Sequence, residues 1–359
     1  MLLIGLVNIQ NINIYWIKGA SMKKINYLKE NGKISLVAPS FGCTTEPYKT
    51  RLEVAITNLE KMGFTIDKGS NIFLANSKAR SNSPRKCAKE FMEAYLSDSD
   101  AIISVGGGEV MNEILPYINF NKLGKVEHKF FMGFSDNTNL TYTLATISNI
   151  PTIYGPNACA FAFPLKYETK DALDLIMNKT NVVEGYPYWC RYPIKDETNP
   201  LTENEYKELK VIKTYPNKEY LEMEGTMLGG CLDCLVNLCG TKFDKTKEYI
   251  SKHKEGIIWF LEPCDLNVVS IQRALFQLKQ AGWFDNAKGF IIGRPRACFK
   301  EKMFGINHYQ AIKEHLKKFD VPIIMDADLG HFDPSMPIIT GIEAKVEFIN
   351  KNIQITYKK

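Results

Sequence analysis

From Ile34 onward the chain alternates short apolar, β-rich runs with segments of helical period. "ISLVA" (34–38) reads as a buried strand that runs into the turn residues Pro39, Ser40 and Gly42, and "YKTRLEVAITNLEKMG" (48–63) spaces its apolar residues for a helix that stops at Gly63. "SPRKCAKEFMEAYLSD" (83–98) opens on Ser83 and Pro84, both helix-start residues. "AIISVGGG", "KFFMGF" and "PTIYGP" are three further strands. Strands that alternate with helices imply parallel pairing through right-handed crossovers, so residues 22–165 read as an α/β domain.

The pattern then changes. Residues 166–224 include a stretch rich in Tyr, Pro, Glu and Lys without a sustained helical period, expected to be a linker with short antiparallel strands. Regular alternation returns over 225–359. It begins with a helix over "MLGGCLDCLVNLCG" and a strand "GIIWFLE", then "NVVSIQRALFQLKQAG" as helix and "GFIIG" as strand. Helix "HYQAIKEHLKKF" and strand "VPIIMDAD" follow, and "AKVEFINKNIQITYK" alternates on both sides of Asn350–Asn352 as a hairpin. The fold class expected is therefore α/β with two domains. The N-terminal parallel-sheet domain carries a serine on a strand–helix corner, and a C-terminal α/β domain follows it.

The first 21 residues fit neither block. Asn8, Asn11 and Asn13 interrupt their apolar residues, no basic region precedes them, and Met22 opens a more conventional start, so they read as an upstream extension. No run approaches the ~18 consecutive apolar residues of a membrane span.

Composition narrows the function classes. With 359 residues there is room for two domains, and 45% hydrophobic with 24% charged residues is ordinary for a globular protein. The formal charge of +5 is spread along the chain, which argues against a nucleic-acid polymer as partner. Nine cysteines, an odd count without framework spacing, point to a reducing cytoplasm. Cys231 and Cys234 form a C-x-x-C, with Cys239 in the same apolar run; on a helix they read as small buried hydrophobes rather than zinc ligands or a redox pair. No metal or organic cofactor is implied.

In open α/β sheets ligands bind beyond the carboxyl ends of the strands. Four such ends carry chemistry: "VGGGE" (105–109), "GFSDN" (133–137), "FLEPCD" (260–265) and "DADLGH" (326–331). A strand–serine–helix corner at Ser135 exposes the hydroxyl and aims the following amides at one point, which suits a nucleophile; the plainer reading is a helix cap. Asn137 stands where the second glycine of G-x-S-x-G would be. Among five histidines, His331 alone follows a strand and a glycine. Glu262 ends an apolar strand, where an unpaired charge is costly, and is the carboxylate best placed to orient a base. Asp326 and Asp328 are rivals too near His331 in sequence to reach across its ring. Gly106–Gly108 lack both phosphate-loop patterns, and their amides serve better as half of an oxyanion hole.

Taken in order, these pieces resemble the LD-carboxypeptidase family of serine peptidases over residues 30–345. "APSFG", "GGGEVMNEILPYI", "MGFSDNT", "YGPN", "GTMLGGCLDCL", "IIWFLEPCD", "IIGRP" and "DADLGHFDPSMPI" match its blocks. The resemblance implies a Ser–Glu–His triad divided between two domains, with Ser135 the nucleophile, Glu262 the orienter and His331 the base. It implies an active site at the interface of the two domains, oxyanion donors at Asp136 and at Gly107 or Gly108, and substrate contacts from Glu109, Asn157 and Trp189. "GGGE" departs from the G-G-Y-G of the peptidoglycan-trimming branch and, with Trp189 and the longer middle region, is closer to the microcin C immunity (MccF-like) branch. A small peptide is then the substrate, either a muropeptide or a peptidyl-aminoacyl nucleotide, and a homodimer is expected. Two rival classes remain: a cysteine hydrolase using Cys159 or Cys264, and a catalytically inactive binding protein on the same fold.

Overall fold

A computed structural model describes residues 24–76, 78–299 and 301–358; the expected extension over 1–21 lies outside them. The chain builds two large sheets. The first has six strands in the order Ile338–Thr340, Thr152–Tyr154, Phe131–Gly133, Ala101–Ser104, Lys33–Val37, Thr65–Lys68. Its last five strands are parallel neighbours, as the strand–helix alternation requires. The helices Tyr48–Lys61, Pro84–Leu96 and Thr138–Ser148 pack around it, and in the second of these Cys87, Ala88, Phe91, Ala94 and Tyr95 form the buried face.

The second sheet has eight strands: Lys213–Tyr215, Ile323–Ala327, Ala287–Gly293, Ile257–Glu262, Leu221–Cys231, Glu343–Ile349, Asn352–Tyr357, Val182–Glu184. Its four core strands, from Ile323–Ala327 to Leu221–Cys231, are parallel, and antiparallel strands flank them. The terminal hairpin alternates buried and partly exposed residues, so one face packs inward.

Three features depart from a simple linear division. The middle region supplies both edges of the second sheet, Val182–Glu184 and Lys213–Tyr215. Ile338–Thr340, which follows the second block's parallel strands, returns to pair with Thr152–Tyr154 in the first sheet. The helix expected from Met227 starts only at Leu232, because Leu221–Cys231 is one continuous strand. Met227 to Cys231 pair in register with Ile258 to Glu262 and are buried throughout. A central strand covered on both faces reads as an unbroken apolar run, which periodicity cannot tell from a buried helix.

Two apolar clusters run through the molecule, and each draws residues from both sheets. One joins Leu36, Met132 and Tyr154 to Phe260, Ile291 and Phe348; the other joins Phe91, Phe131 and Leu140 to Trp259, Leu261 and Phe290. The interface is tightened where Thr138 Oγ1 accepts a hydrogen bond from Cys231 N at 2.9 Å. Shared packing of this kind fixes the relative position of strand ends from the two sheets.

Candidate active site

Three strand ends converge where the sheets meet. Ser135 follows Phe131–Gly133, Glu262 closes Ile257–Glu262, and His331 lies four residues beyond Ile323–Ala327. Ser135 Oγ lies 3.0 Å from His331 Nε2, and His331 Nδ1 lies 3.0 and 3.1 Å from the two oxygens of Glu262. The carboxylate is fully buried and accepts the Nδ1 proton, which leaves Nε2 free to accept from the serine. The Phe134 ring backs the imidazole edge-on at 5.0 Å between centroids. Burial lowers the His331 pKa, but the Glu262 charge and hydrogen bond, with Asp265 and Asp333 nearby, outweigh it and leave it above the usual histidine value.

Local chemistry explains the corner. Ser135 has φ of +63°, a left-handed conformation that is costly for a residue with a side chain and is sustained here by its surroundings. Asp136 is buried; one carboxylate oxygen accepts from Ser40 Oγ at 2.5 Å and Met111 N at 2.9 Å, and the other from Asn139 Nδ2 at 2.9 Å. Asn137 folds back, with Nδ2 donating to Gly106 O at 3.0 Å and Phe134 O at 2.9 Å. Asn137 thus bolts the corner to Gly106 of the glycine loop, and Asp136 ties it to Ser40 and Met111. Asn157 Oδ1 accepts from Asn137 Nδ2 at 3.2 Å, so this buried residue at the cleft wall also supports the corner.

Two glycines lie close to the triad, and one of them is required by close approach. A Cβ on Gly107 would lie 3.3 Å from Ser135 Oγ and crowd the space in front of the hydroxyl. A Cβ on Gly330, where φ is +111°, would fall 1.9 Å from Glu262 Cγ, so only glycine lets the carboxylate pass beneath the loop that carries His331.

Tyr154 escaped the reading of the sequence. Its hydroxyl donates to Glu262 Oε2 at 3.2 Å and accepts from Ser135 N at 3.3 Å, linking the carboxylate to the backbone of the corner. Burial pushes its pKa well up, so the group stays protonated. In sequence it is an aromatic residue in an apolar strand, and only its position at the strand's C-terminal end hinted at more.

The site opens into a cleft of about 1120 Å³, above the roughly 300–1,000 Å³ of most small-molecule sites. Gly107, Gly108, Asp136 and the exposed Glu109 line it, as do Cys159 and Cys264. Trp189 is not among the lining residues. It is 7% exposed, with the Arg294 guanidinium 4.3 Å above its ring and Phe332 edge-on at 5.4 Å. Among the aromatic residues that do line the cleft, Phe299 stacks over Trp189 at 6.3 Å, and Tyr192, 73% exposed, over Phe299 at 6.1 Å.

The rival residues are engaged elsewhere. Asp328 pairs with Arg294 at 2.9 Å, and Asp326 bonds to the Tyr309 hydroxyl. His308 lies 3.5 Å from Asp326, His315 lies 3.2 Å from Lys279 Nζ, His253 lies 2.6 Å from Glu255, and His128 is buried in a short strand. Cys159 Sγ donates to Val105 O at 3.2 Å and lies 3.4 Å from Cys43 Sγ; that thiol contact and burial hold it well above the usual thiol pKa. Burial and the neighbouring Glu262 likewise push Cys264 up. The pair in the C-x-x-C is not simple core. Cys231 is buried at a strand end, while Cys234 is partly exposed in the cleft with Sγ 3.7 Å from Ser135 O.

A serine, a histidine and a carboxylate in hydrogen-bonded series form a constellation that serine hydrolases carry on several unrelated folds. The chain belongs to the LD-carboxypeptidase family: residues 34–155 match its N-terminal domain and residues 224–346 its C-terminal domain. It is 26% identical over 319 residues to the microcin C7 self-immunity protein MccF of Escherichia coli, covering 86% of this chain and 88% of that one. Among solved structures, MccF in complex with glutamyl sulfamoyl guanosine superposes with a TM-score of 0.78 at 21% identity, over 94% of this chain and 99% of that one. An MccF-like protein from Streptococcus pneumoniae in complex with AMP gives 0.72 at 22% identity, over 91% and 99%. Among the described residues no helix is long and apolar enough to cross a membrane.

Proposed function

We propose that this protein is a serine peptidase of the carboxypeptidase type, hydrolysing the C-terminal amide of a small peptide. The observation that carries this reading is the unbroken series from Ser135 Oγ through His331 to the buried Glu262 carboxylate. His331 Nε2 takes the Ser135 proton as Oγ attacks the carbonyl carbon. The oxyanion is held by the amides of Asp136, at the start of the helical segment that follows the corner, and of Gly107 or Gly108. Collapse of this intermediate breaks the C–N bond, and His331 passes the proton to the departing amine. Water, deprotonated by the same imidazole, then attacks the acyl-serine and releases the acid.

Of the two substrate classes, the peptidyl-aminoacyl nucleotide is favoured. Relatives of this fold bind aminoacyl sulfamoyl nucleotides and AMP, and here the Tyr192–Phe299 stack at the cleft offers a flat surface to a base. Glu109 is assigned to substrate contact. A reducing cytoplasm is the compartment proposed, because nine cysteines without framework spacing in a chain of this length do not call for disulfides.

The test is parallel incubation with a peptidyl-sulfamoyl-adenosine and an L,D-muropeptide, scored by mass spectrometry. Cleavage of the first alone is expected, and cleavage of the second alone would reassign the substrate. Tyr192→Ala should weaken nucleotide-substrate cleavage about ten- to a hundredfold, the equivalent of ~1–3 kcal/mol of base stacking, with an unchanged melting temperature. Trp189→Ala should instead lower the melting temperature and affect both substrates alike, since its ring is packed away from the cleft.

Tyr154→Phe removes the hydroxyl that joins Glu262 to the corner. A lost hydrogen bond to a charged group is worth ~1.5–3 kcal/mol, so kcat should fall roughly ten- to a hundredfold with KM nearly constant. A change confined to KM would contradict a positioning role for Tyr154.

A further inference from the structure

We propose that Glu262, Cys264 and His331 form an inhibitory site for zinc. One ligand atom from each residue lies within 4.8 Å of the other two, and the Glu262 and Cys264 side chains are buried. Carboxylate, imidazole and thiol are the three donor types zinc takes. At ordinary bond lengths a tetrahedral zinc holds its ligands about 3.3–3.8 Å apart, so the group closes with side-chain adjustments of about an ångström. Glu262 and His331 Nδ1 are already 3.0 Å apart. Cys264 and His331 both border the cleft, which gives the ion a path and leaves water for the fourth position.

Nothing in the hydrolytic steps uses Cys264, and a thiol beside the orienting carboxylate is the residue that turns a base–carboxylate pair into a metal site. Binding releases one proton, from the Cys264 thiol, because the ligand is the thiolate. Glu262 faces Nδ1, so a zinc shared with it takes the Nδ1 lone pair and the imidazole proton moves to Nε2. Nε2 then carries a hydrogen and cannot accept the Ser135 proton. The ion stops turnover by fixing the wrong tautomer, with the cleft itself left open. A thiolate ligand favours zinc over magnesium or calcium.

The effect on turnover rests on the serine-peptidase reading, whereas metal binding does not, and the experiment separates the two. Full-length protein is titrated with Zn2+, with Mg2+ as control, while the rate at which a fluorophosphonate probe labels Ser135 is followed. In parallel Co2+ is added and the near-ultraviolet thiolate-to-cobalt absorption recorded. Zn2+ at micromolar concentration should slow labelling more than tenfold, EDTA should restore it, and Mg2+ should do nothing. Cys264→Ser should label at the wild-type rate without metal, need roughly ten- to a hundredfold more Zn2+ for the same inhibition, and lose the cobalt band. Equal sensitivity of wild type and Cys264→Ser to Zn2+, or a wild-type cobalt complex without the thiolate band, overturns the site. If the probe fails to label even metal-free protein, the serine reading falls and the cobalt band alone decides the metal site.

Discussion

Ser135→Ala is expected to reduce kcat by roughly four to six powers of ten while the protein keeps its fold and melting temperature. The hydroxyl is the only group removed, it points to the cleft, and its partner is His331 Nε2 rather than a core atom. Relief of the left-handed backbone is not expected to compensate, because alanine at φ of +63° is as strained as serine. Residual activity should come from the oxyanion donors and substrate binding alone. Turnover near the wild-type level would remove the nucleophile from the account.

The second large effect is that of Glu262→Gln, expected to cost about 10⁴ in kcat. Tyr154 accepts from Ser135 N and so turns its own proton to Glu262 Oε2. A glutamine must give its oxygen to that hydroxyl, which leaves its amide hydrogens facing His331 Nδ1. The imidazole then keeps its proton on Nε2, where it cannot take another from Ser135. The pH profile supplies an independent check. In the wild type, burial pulls the His331 pKa down but the Glu262 charge and hydrogen bond lift it above the ordinary value. Activity requires the neutral base, so kcat/KM should rise with pH through that raised pKa. Without the charge, burial prevails and the same rise should move to lower pH. An unshifted limb in Glu262→Gln would mean that the carboxylate does not set the charge state of His331.

Much of this site could be read along the chain. Ser135 stood out because a strand ran straight into helix-forming residues, and Glu262 because a carboxylate closed an apolar strand. His331 stood out because the other histidines lay in segments with no strand-end context. Residues whose role depends on distant neighbours were less legible. Tyr154 looks like core until the second sheet brings Glu262 to its hydroxyl, and Gly330 looks like any turn glycine until the carboxylate is seen beneath it. Trp189 is marked for substrate contact by family resemblance alone, and its packing against Arg294 and Phe332, more than a hundred residues away, is not visible along the chain. The edge strands Val182–Glu184 and Lys213–Tyr215 are three residues each, too short for any periodicity to reveal. The second half of the strand Leu221–Cys231 resembles helix along the chain because a fully buried stretch has no polar face to mark its period.

The most direct test of the central claim is to trap the acyl-enzyme. Protein mixed with an activated ester of the peptide substrate is quenched in acid during turnover, digested, and mapped by mass spectrometry. The expected result is the acyl adduct on the peptide containing Ser135, absent from Ser135→Ala. An adduct on Cys159 or Cys264, or hydrolysis that proceeds with no adduct on Ser135 and survives Ser135→Ala, would contradict it.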